Sequence, residues 1–398
     1  PAGARVGVTA VWGKTDTSEP IIYLDHAGAC PVLPEVAALH ADLCRRYLVN
    51  PHATSRYSEE AKRAILVAER ELLGCLEIPT EQAHIVWTAS GTEANNLATL
   101  GVLRRRPGAL ALVDAGAHAA LAEPCRHYAS REGGRCVDIA LTPDGSLALE
   151  RVDATPAALA ALVAVTHVNN ETGAVADLPR LRAWMRRRTP QALLVVDGAQ
   201  SFGKIPVPWA AAGIDLLTVS ARKIGGPAAV AALVVRQGVR LEPVLYGGGQ
   251  QGNLRSGTVD VVGVIEAAQA ARLAGAAQAT ESTRVAALNE ALRRGLETWS
   301  APRMQILSPA NASPWILTFA VPGYEGAILM RLLAERRIVV GTGSACSAES
   351  GKTSHVLRAM GVPDAVARCV LRVSFGPEST PGHVEVLLRE LQAVVAAY

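Results

Sequence analysis

The sequence has no apolar run long enough to cross a membrane. Its longest mainly apolar stretches, residues 157–165 and 225–235, are well short of the roughly 20 residues that span a bilayer. Residues 1–20 mix charged and small side chains and lack a continuous apolar core, so they differ from a secretory signal. We therefore expect no transmembrane helix and no membrane partner, and we place the protein in the cytoplasm.

An excess of charge is also missing. The chain has 39 Lys and Arg against 36 Asp and Glu, a formal net charge of +3. This balance leaves no general attraction for a polyanion, so we expect no direct binding of nucleic acid.

With 49% hydrophobic and 19% charged residues, the chain lacks the signature of disorder. A folded chain of 398 residues exceeds one ordinary core, which predicts two domains or one large domain with an appendage.

The cysteines lack the spacing of a disulfide framework or a zinc site. There are seven, an odd number, and none forms a C-x-x-C pair. We expect most to be reduced, buried thiols that act as small apolar core residues. Cys346 differs, because it lies in a stretch of small residues, 341–353, that we expect to be mobile and exposed. An exposed thiol is a liability unless it is used.

Short β-rich runs alternate with helical segments between about residues 80 and 235. The runs are 84–88, 109–113, 162–166, 193–196, 215–219 and 231–235. Continuous apolar strands joined by helices are typical of a mostly parallel sheet covered on both faces. The sequence therefore predicts an α/β fold.

The remainder of the chain predicts a second, smaller α+β domain. A glycine-rich stretch, 246–258, is followed by a long helical pattern over 261–300 that we expect to link two domains. Two β-rich runs, 315–321 and 371–375, and helices over 325–336 and 381–397 come next. The predicted domains are residues 21–262 and 263–398, with residues 1–20 as an N-terminal extension.

Ligands of open α/β sheets bind beyond the carboxyl ends of the strands, where this chain places several polar groups. The segment 90–95 follows the run that ends at Thr88 and opens a helix, so Gly91 and Thr92 offer free backbone N–H groups to a phosphate. The alternative is an ordinary helix cap by Ser90 or Thr92 with Glu93 in the first turn. Taken alone, this segment favours the cap.

Two charged residues end neighbouring apolar runs. Asp197 needs a partner that repays its desolvation: a cationic ring nitrogen, a helix N-terminus or an arginine. Lys223 lies 26 residues further on, beside Arg222. Burial and a neighbouring cation would keep its amine partly deprotonated, as a Schiff-base lysine requires. The alternative is a solvated lysine in a turn.

Further polar side chains follow two other runs. The segment 167–173 places five of them directly after an apolar run, and turn formation explains only its Asn and Gly residues. His118 also lies at the end of a run, where it could stack on a ligand or serve as a structural histidine.

A phosphate cup, a carboxylate for a ring nitrogen, a Schiff-base lysine and a stacking histidine together indicate pyridoxal phosphate chemistry.

The motifs occur in the same order along the chain as in the cysteine desulfurases of the NifS and IscS type, and Cys346 adds to the likeness. The chain therefore resembles this family. Its members have the class V aminotransferase fold, a pyridoxal-phosphate-dependent transferase fold of type I. The likeness covers nearly the whole chain and is specific. Its motifs are 23–27, 50–51, 90–93, 167–171, 197–200, 220–223, 255–258, 343–346, 354–358 and 371–376.

The resemblance implies roles for residues that match the family's motifs. Lys223 would hold the cofactor covalently, Asp197 would pair with the ring nitrogen, and His118 would stack on the ring and move protons. The other cofactor contacts would be made by Gly91, Thr92, Ser220 and Arg222 at the phosphate, by Asn170 and Gln200 at the ring hydroxyl, and by Thr258 from the partner subunit of a homodimer. Asn50 and Arg372 would grip the substrate carboxylate, and Cys346 would accept the sulfur.

The implied activity is the conversion of L-cysteine to L-alanine, with a persulfide left on Cys346 for a sulfur-acceptor protein. Two departures bear on rate or substrate: Arg222 stands where the family usually has His, and Pro377 where it often has Arg. Two alternatives stay open. One is a selenocysteine lyase or another β-elimination enzyme, in which Cys346 would be dispensable. The other is a catalytically retired scaffold for a sulfur-transfer partner.

Overall fold

A computed structural model describes residues 20–153, 157–343 and 353–397. Its largest element is a seven-stranded sheet in the order β2-β8-β7-β6-β5-β3-β4. The strands are β2 (Ala83–Thr88), β3 (Leu110–Asp114), β4 (Arg135–Ile139), β5 (Ala160–Thr166), β6 (Leu193–Asp197), β7 (Leu216–Ser220) and β8 (Ala231–Arg236). Only β8 runs antiparallel to its neighbours, so the mostly parallel α/β sheet is confirmed.

All six predicted runs form strands of this sheet, and one strand is additional. β4 pairs in parallel with β3 at the edge of the sheet. Most of its residues are partly or fully exposed, in keeping with its place at the edge of the sheet. It therefore lacks the continuous apolar sequence that predicts central strands, such as the fully buried β5 and β7.

Helices pack on both faces of the sheet. They are α1 (Pro34–Ala37), α2 (His40–Arg46), α3 (Arg56–Cys75), α4 (Gly91–Leu103), α5 (Ala119–Arg131), α6 (Leu178–Arg188) and α7 (Trp209–Ala212). One core contains Leu72, Trp87 and Val163, and the core on the opposite face contains Leu97, Leu121 and Leu162. The alternation of Val163 and Leu162 reflects the two-residue period of a strand that is buried on both sides.

A long helix, α8 (Val261–Glu297), connects the first core to a second region of the fold. Asp260 caps its N-terminus by accepting a hydrogen bond from the Gly263 backbone N–H at 3.1 Å. Its N-terminal half, rich in small residues, contributes Val264 and Ala267 to the first core. Its C-terminal half contributes Leu288 and Leu292 to the second.

The second region contains a three-stranded antiparallel sheet and a parallel strand pair. The sheet consists of β9 (Gln305–Ile306), β10 (Ile316–Ala320) and β12 (Val370–Ser374), and the pair of β1 (Ile22–Tyr23) and β11 (Ile338–Val339). The helices are α9 (Gly326–Glu335), α10 (His355–Ala359), α11 (Asp364–Ala367) and α12 (Pro381–Ala397). The predicted runs and helices of this region are thus present.

The N-terminal segment packs against the second region. Leu24 and Ala27 belong to its core, and the Ser374 backbone N–H donates to the Leu24 carbonyl at 2.8 Å. This contact carries residues 24–28 to the carboxyl ends of β6 and β7. The division at residue 262 stays a prediction. Within the described residues, no helix combines the length and the apolarity that a bilayer crossing requires.

Candidate active site

Three adjacent strands bring their polar ends together. Thr166 at the end of β5 is in register with Asp197 at the end of β6, which is in register with Thr218 in β7. β7 ends at Ser220, and a single 3-10 turn, Ala221–Lys223, follows directly. The parallel alignment therefore places Asp197 and Lys223 at the same edge of the sheet, as predicted.

Asp197 is buried and is held by uncharged groups. One carboxylate oxygen accepts a hydrogen bond from Asn95 Nδ2 at 2.7 Å, and the other accepts one from the Ala199 backbone N–H at 2.9 Å. Among the described residues no arginine pairs with this carboxylate, so the arginine alternative is wrong. Asn95 lies on α4, 102 residues earlier, and the sequence analysis gave it no role.

The N-terminus of α4 is capped and still has free donors. Ser90 Oγ accepts from the Glu93 N–H at 3.1 Å, and Glu93 Oε2 accepts from the Ala89 N–H at 2.8 Å, which is a capping box. The predicted cap is therefore present. No acceptor among the described residues bonds the N–H groups of Gly91 and Thr92, so the phosphate interpretation is compatible with it.

Gly91 also approaches the end of β7. A Cβ atom at Gly91 would lie 3.8 Å from the Ser220 side chain and 3.8 Å from that of Thr218. The structure therefore brings together Gly91, Thr92 and Ser220, the three residues expected at the phosphate in addition to Arg222. Arg222 is exposed, in the turn directly after Ser220.

The glycine-rich segment is fastened to the same end of the sheet. Arg255 Nε lies 2.6 Å from Glu93 Oε1 in a mostly buried ion pair. Gln251 pairs with the backbone of Trp87, donating to its carbonyl at 2.9 Å and accepting from its N–H at 2.7 Å. Thr258, expected to act in the partner subunit's site, is exposed at the end of this segment.

Lys223 is largely enclosed, which excludes the solvated-lysine alternative. Its Nζ donates to the carbonyl oxygens of Ala27 at 2.8 Å and Gly28 at 2.6 Å. Burial, together with the positive charges of Arg372 and Arg222, lowers the pKa of Lys223 to about 8, although the charges of Asp25 and Asp197 oppose this shift. A part of the amine is therefore neutral near physiological pH, as amine chemistry requires.

Arg372 is buried and joins two separate segments. Its Nη2 lies 2.6 Å from Asp25 Oδ1, and its Nη1 donates to the Asn170 carbonyl at 2.9 Å. Its Nε has no hydrogen-bond partner among the described residues. A buried orphan donor on a guanidinium fits a ligand carboxylate, but Asp25 already occupies part of the predicted fork. Asp25 had no predicted role.

Among the described residues, no hydrogen bond joins Asn50 to Arg372. Asn50 is exposed, and its Oδ1 accepts a hydrogen bond from the His52 backbone N–H at 2.9 Å. This local turn explains the asparagine without a substrate. Its role in binding the substrate carboxylate stays a prediction.

His118 caps α5 with its side chain. Nδ1 accepts a hydrogen bond from the Ala120 N–H at 3.1 Å, so in the neutral ring the proton lies on Nε2. Although part of the side chain is exposed, desolvation lowers the pKa of His118, and the charges of Lys223 and His355 lower it further while Asp197 opposes them. The neutral form, with a single N–H at Nε2, is therefore favoured.

The polar segment after β5 is organised by Asn169. Its Oδ1 accepts from the N–H groups of Glu171 at 2.9 Å and Thr172 at 3.0 Å, and its Nδ2 donates to the Gly116 carbonyl at 3.0 Å. Asn170 is half-buried beside Arg372. His167 is buried, and burial lowers its pKa to about 4, so it is a neutral structural residue.

Glu171 is a buried carboxyl that the sequence analysis noticed without assigning a role. It is 2% exposed, and Ser354 Oγ, at the N-terminus of α10, donates to its Oε2. Its backbone carbonyl accepts from Thr318 Oγ1 of β10. Burial raises the pKa of Glu171 to about 7. Glu171 therefore connects the loop after β5 to both β10 and α10.

Gln200 lies beside Lys223, and Cys346 lies outside the described residues. Gln200 is buried, and its Nε2 donates to the Ala27 carbonyl at 2.8 Å, the same oxygen that Lys223 contacts. Gly341 lies in the described part of the chain shortly before the segment with Cys346. A Cβ there would lie 2.8 Å from Arg372 Nη2 and 2.9 Å from Asp25 Oδ1, so only glycine fits.

Three of the six described cysteines are buried, as expected, and the others are not. Cys30, Cys125 and Cys369 are buried, Cys75 and Cys136 are half-buried, and Cys44 is exposed. Cys44 lies on α2, none of whose residues is buried, so this short helix covers the core without entering it. Burial raises the pKa of Cys30 to about 11, which keeps that thiol protonated and unreactive at neutral pH.

The chain is similar to known proteins over most of its length. The family model described as Aminotransferase class-V matches residues 22–387. A protein named cysteine desulfurase IscS from Aeromonas salmonicida is 33% identical over 382 residues, covering 92% of this chain and 91% of that protein. The protein of the same name from Histophilus somni strain 129Pt is 32% identical, and the match covers 94% of this chain and 92% of that protein.

Solved structures have the same fold. A structure entitled NifS-like protein superposes with a TM-score of 0.86 at 25% identity, covering 95% of this chain and 100% of the other. A structure of SspA in complex with cysteine has a TM-score of 0.77 at 26% identity, covering 90% of this chain and 100% of the other. A structure of DndA from Streptomyces lividans superposes with a TM-score of 0.70 at 29% identity, covering 86% of this chain and 96% of the other.

We predict that Glu171→Gln changes how stability depends on pH. Because the folded-state pKa of about 7 exceeds the ordinary value of 4.5, the folded protein retains this proton after the unfolded chain has lost it. The contribution of Glu171 is full below about pH 4.5 and falls as the pH rises to about 7, by up to about 3 kcal/mol. Glutamine should remove this decline.

Urea unfolding between pH 5 and pH 8 measures this effect. The exposed Glu290→Gln is the matched control and should keep the wild-type pH dependence. A Glu171→Gln protein whose stability falls with pH as steeply as that of the wild type would contradict the assignment of a buried, proton-retaining carboxyl.

Proposed function

We propose that this chain, which belongs to the aminotransferase class-V family, is a pyridoxal-phosphate-dependent cysteine desulfurase. It converts L-cysteine to L-alanine and leaves the sulfur as a persulfide on Cys346. One observation carries the proposal: Lys223, with its pKa of about 8, lies at the same sheet edge as the buried Asp197 and the free N-terminal donors of α4. The relatives named cysteine desulfurase support the same substrate.

The residues present fit the cofactor. The N–H groups of Gly91 and Thr92 and the Ser220 hydroxyl suit its phosphate, with Arg222 nearby, while Asp197 offers an acceptor for its ring nitrogen. We assign the ring face to His118 and the ring hydroxyl to Asn170 and Gln200. When bound to an amine, pyridoxal phosphate supplies an electron sink that weakens bonds at the neighbouring carbons.

The protein groups around that site have distinct tasks. Lys223 supplies the amine, which its surroundings keep partly unprotonated. Asp197 stays oriented through Asn95 Nδ2 and the Ala199 N–H, so its negative charge is held in place. Arg372, with its free Nε, binds the substrate carboxylate next to Asp25.

The sulfur transfer balances without an outside oxidant. The bond between Cβ and sulfur of the substrate breaks as the bond between that sulfur and Cys346 Sγ forms. The thiol protons remain with the alanine and the persulfide, so one cysteine and one thiol give one alanine and one persulfide. A sulfur-acceptor protein then takes the terminal sulfur.

Further proposals concern the setting of this activity. We propose a homodimer in which Thr258 completes the partner's site, a cytoplasmic location, and a division into domains at residues 21–262 and 263–398. The continuous core from Val285 to Leu292 and β10 supports a separately packed C-terminal region.

We predict that Lys223→Ala abolishes covalent attachment of the cofactor and leaves the fold intact. Lys223 bonds only backbone carbonyls among the described residues, so its loss leaves no buried charge unpaired. Borohydride reduction followed by peptide mapping should find the pyridoxyl group on Lys223 of the wild type. The exposed Lys62→Ala is the control. A pyridoxyl group on another lysine would refute the assignment, and its absence from every lysine would favour a retired scaffold.

We predict that Asp197→Asn binds the cofactor but turns over at least about a hundredfold more slowly, because a neutral amide holds a ring proton poorly. The measurement is cysteine-dependent alanine release together with the visible spectrum of the protein. Asp42→Asn, on an exposed part of α2, should behave as the wild type. Unchanged turnover in the Asp197 variant would remove it from the mechanism.

We predict that Cys346→Ser loses persulfide formation while it still binds cysteine, because the amine of Lys223 and the guanidinium of Arg372 do not need the thiol. Mass spectrometry after incubation with cysteine should find one extra sulfur on the wild-type peptide with Cys346. Cys44→Ser, which removes the exposed thiol of α2, is the matched control and should retain sulfur transfer. Alanine and sulfide release at the wild-type rate by Cys346→Ser would indicate an elimination enzyme instead.

A further inference from the structure

Lys204 is a second buried lysine at the candidate site. It is 5% exposed and follows Gln200 by four residues in the turn after β6. Its Nζ donates to Gln200 Oε1 at 3.1 Å, and no carboxylate of the described residues pairs with it. A buried ammonium without a carboxylate is costly, so what it contacts has to explain its place.

Trp315 fixes Lys204 from the second region of the fold. The indole Nε1 donates to the Lys204 backbone carbonyl at 3.2 Å. The ammonium lies 5.8 Å from the centre of the Trp315 ring, within the range of a cation–π contact. Both ends of Lys204 are therefore held, and its Nζ is directed at Gln200.

The partners of Gln200 permit only one orientation of its amide. The ammonium of Lys204 can only donate, and the carbonyl of Ala27 can only accept. Gln200 Oε1 must therefore contact Lys204, and Nε2 must contact the Ala27 oxygen, at 2.8 Å. A flipped amide would place two oxygens against each other at Ala27 and an NH2 group against the ammonium.

We propose that Lys204 is a positioning residue that fixes the Gln200 amide with its NH2 group toward Ala27 and Lys223, where it can donate to the cofactor. This inference rests on the proposed function. The Ala27 oxygen also accepts from Lys223 Nζ at 2.8 Å, so the orientation of Gln200 and the place of the reactive amine depend on one carbonyl.

The contact does not depend on the charge of Lys204. Burial, together with the charges of Lys223 and Arg372, lowers the pKa of Lys204 to about 8. A neutral amine keeps two N–H donors for the Gln200 oxygen, and the Ala27 carbonyl, which can only accept, keeps the NH2 group of Gln200 on its side at any pH. The orientation therefore persists on both sides of that pH.

A double-mutant cycle tests whether Lys204 acts through Gln200. Lys204→Met removes the donor and keeps the length of the side chain, and it is combined with Gln200→Ala. The full-length proteins are titrated with pyridoxal phosphate, and the dissociation constant is read from the visible absorbance. Thermal unfolding of each protein checks the fold. If Lys204→Met does not fold, Lys204→Leu takes its place in the cycle.

The expected result is a loss that appears only when Gln200 is present. Lys204→Met should weaken cofactor binding by about tenfold, the effect of one hydrogen bond of about 1 kcal/mol or slightly more. In the Gln200→Ala background the same substitution should change binding by less than about twofold. Lys204→Arg should rescue binding, because it restores a donor and a cavity of about 260 Å³ beside Lys204 gives it room.

Two results overturn the inference. An equal loss in both backgrounds would show that Lys204 supports the site independently of Gln200, and no loss in either would show that it has no part in binding. Failure of the wild type to bind pyridoxal phosphate at Lys223 would instead overturn the proposed function together with this inference, so the two failures are distinguishable.

Discussion

The ion pair of the half-buried Asp25 with the buried Arg372 is the interaction on which the site depends. Asp25 belongs to the N-terminal segment, and Arg372 belongs to β12, 347 residues later. The same guanidinium bonds the Asn170 carbonyl after β5. Three distant parts of the chain therefore meet at one buried cation. Removal of Asp25 would leave that cation buried without its partner, a cost of about 3–5 kcal/mol.

This ion pair also determines where Lys223 can point. Ala27 and Gly28 follow Asp25 closely, and their carbonyls accept the hydrogen bonds of the lysine amine. Backbone carbonyls satisfy the N–H donors of an amine without adding a full negative charge, so they stabilise its charged form less than a carboxylate would. Burial and the neighbouring cations then lower the pKa of Lys223 to about 8.

The sheet and two central site residues could be predicted because each follows from local sequence. Apolar runs of strand length predicted six strands, and polar residues at their ends identified Asp197 and Lys223. The edge strand β4 has no such apolar continuity. The roles of Asn95, Asp25 and Lys204 depend on partners that only the tertiary fold brings near: Asn95 and Asp197 are 102 residues apart, and Asp25 and Arg372 are 347 apart. Sequence spacing contains no signal for such pairs.

The arginine next to Lys223 is consistent with this electrostatic arrangement. Arg222 stands where the family that the chain resembles usually has a histidine, and its charge is one of the causes that lower the pKa of Lys223. A histidine would contribute that charge only below its own pKa, whereas a guanidinium stays charged throughout the physiological range. Because Arg222 is exposed, its charge costs little desolvation, and it remains available to an anionic ligand at Ser220. The substitution therefore makes the depression of the Lys223 pKa less dependent on pH and does not remove it.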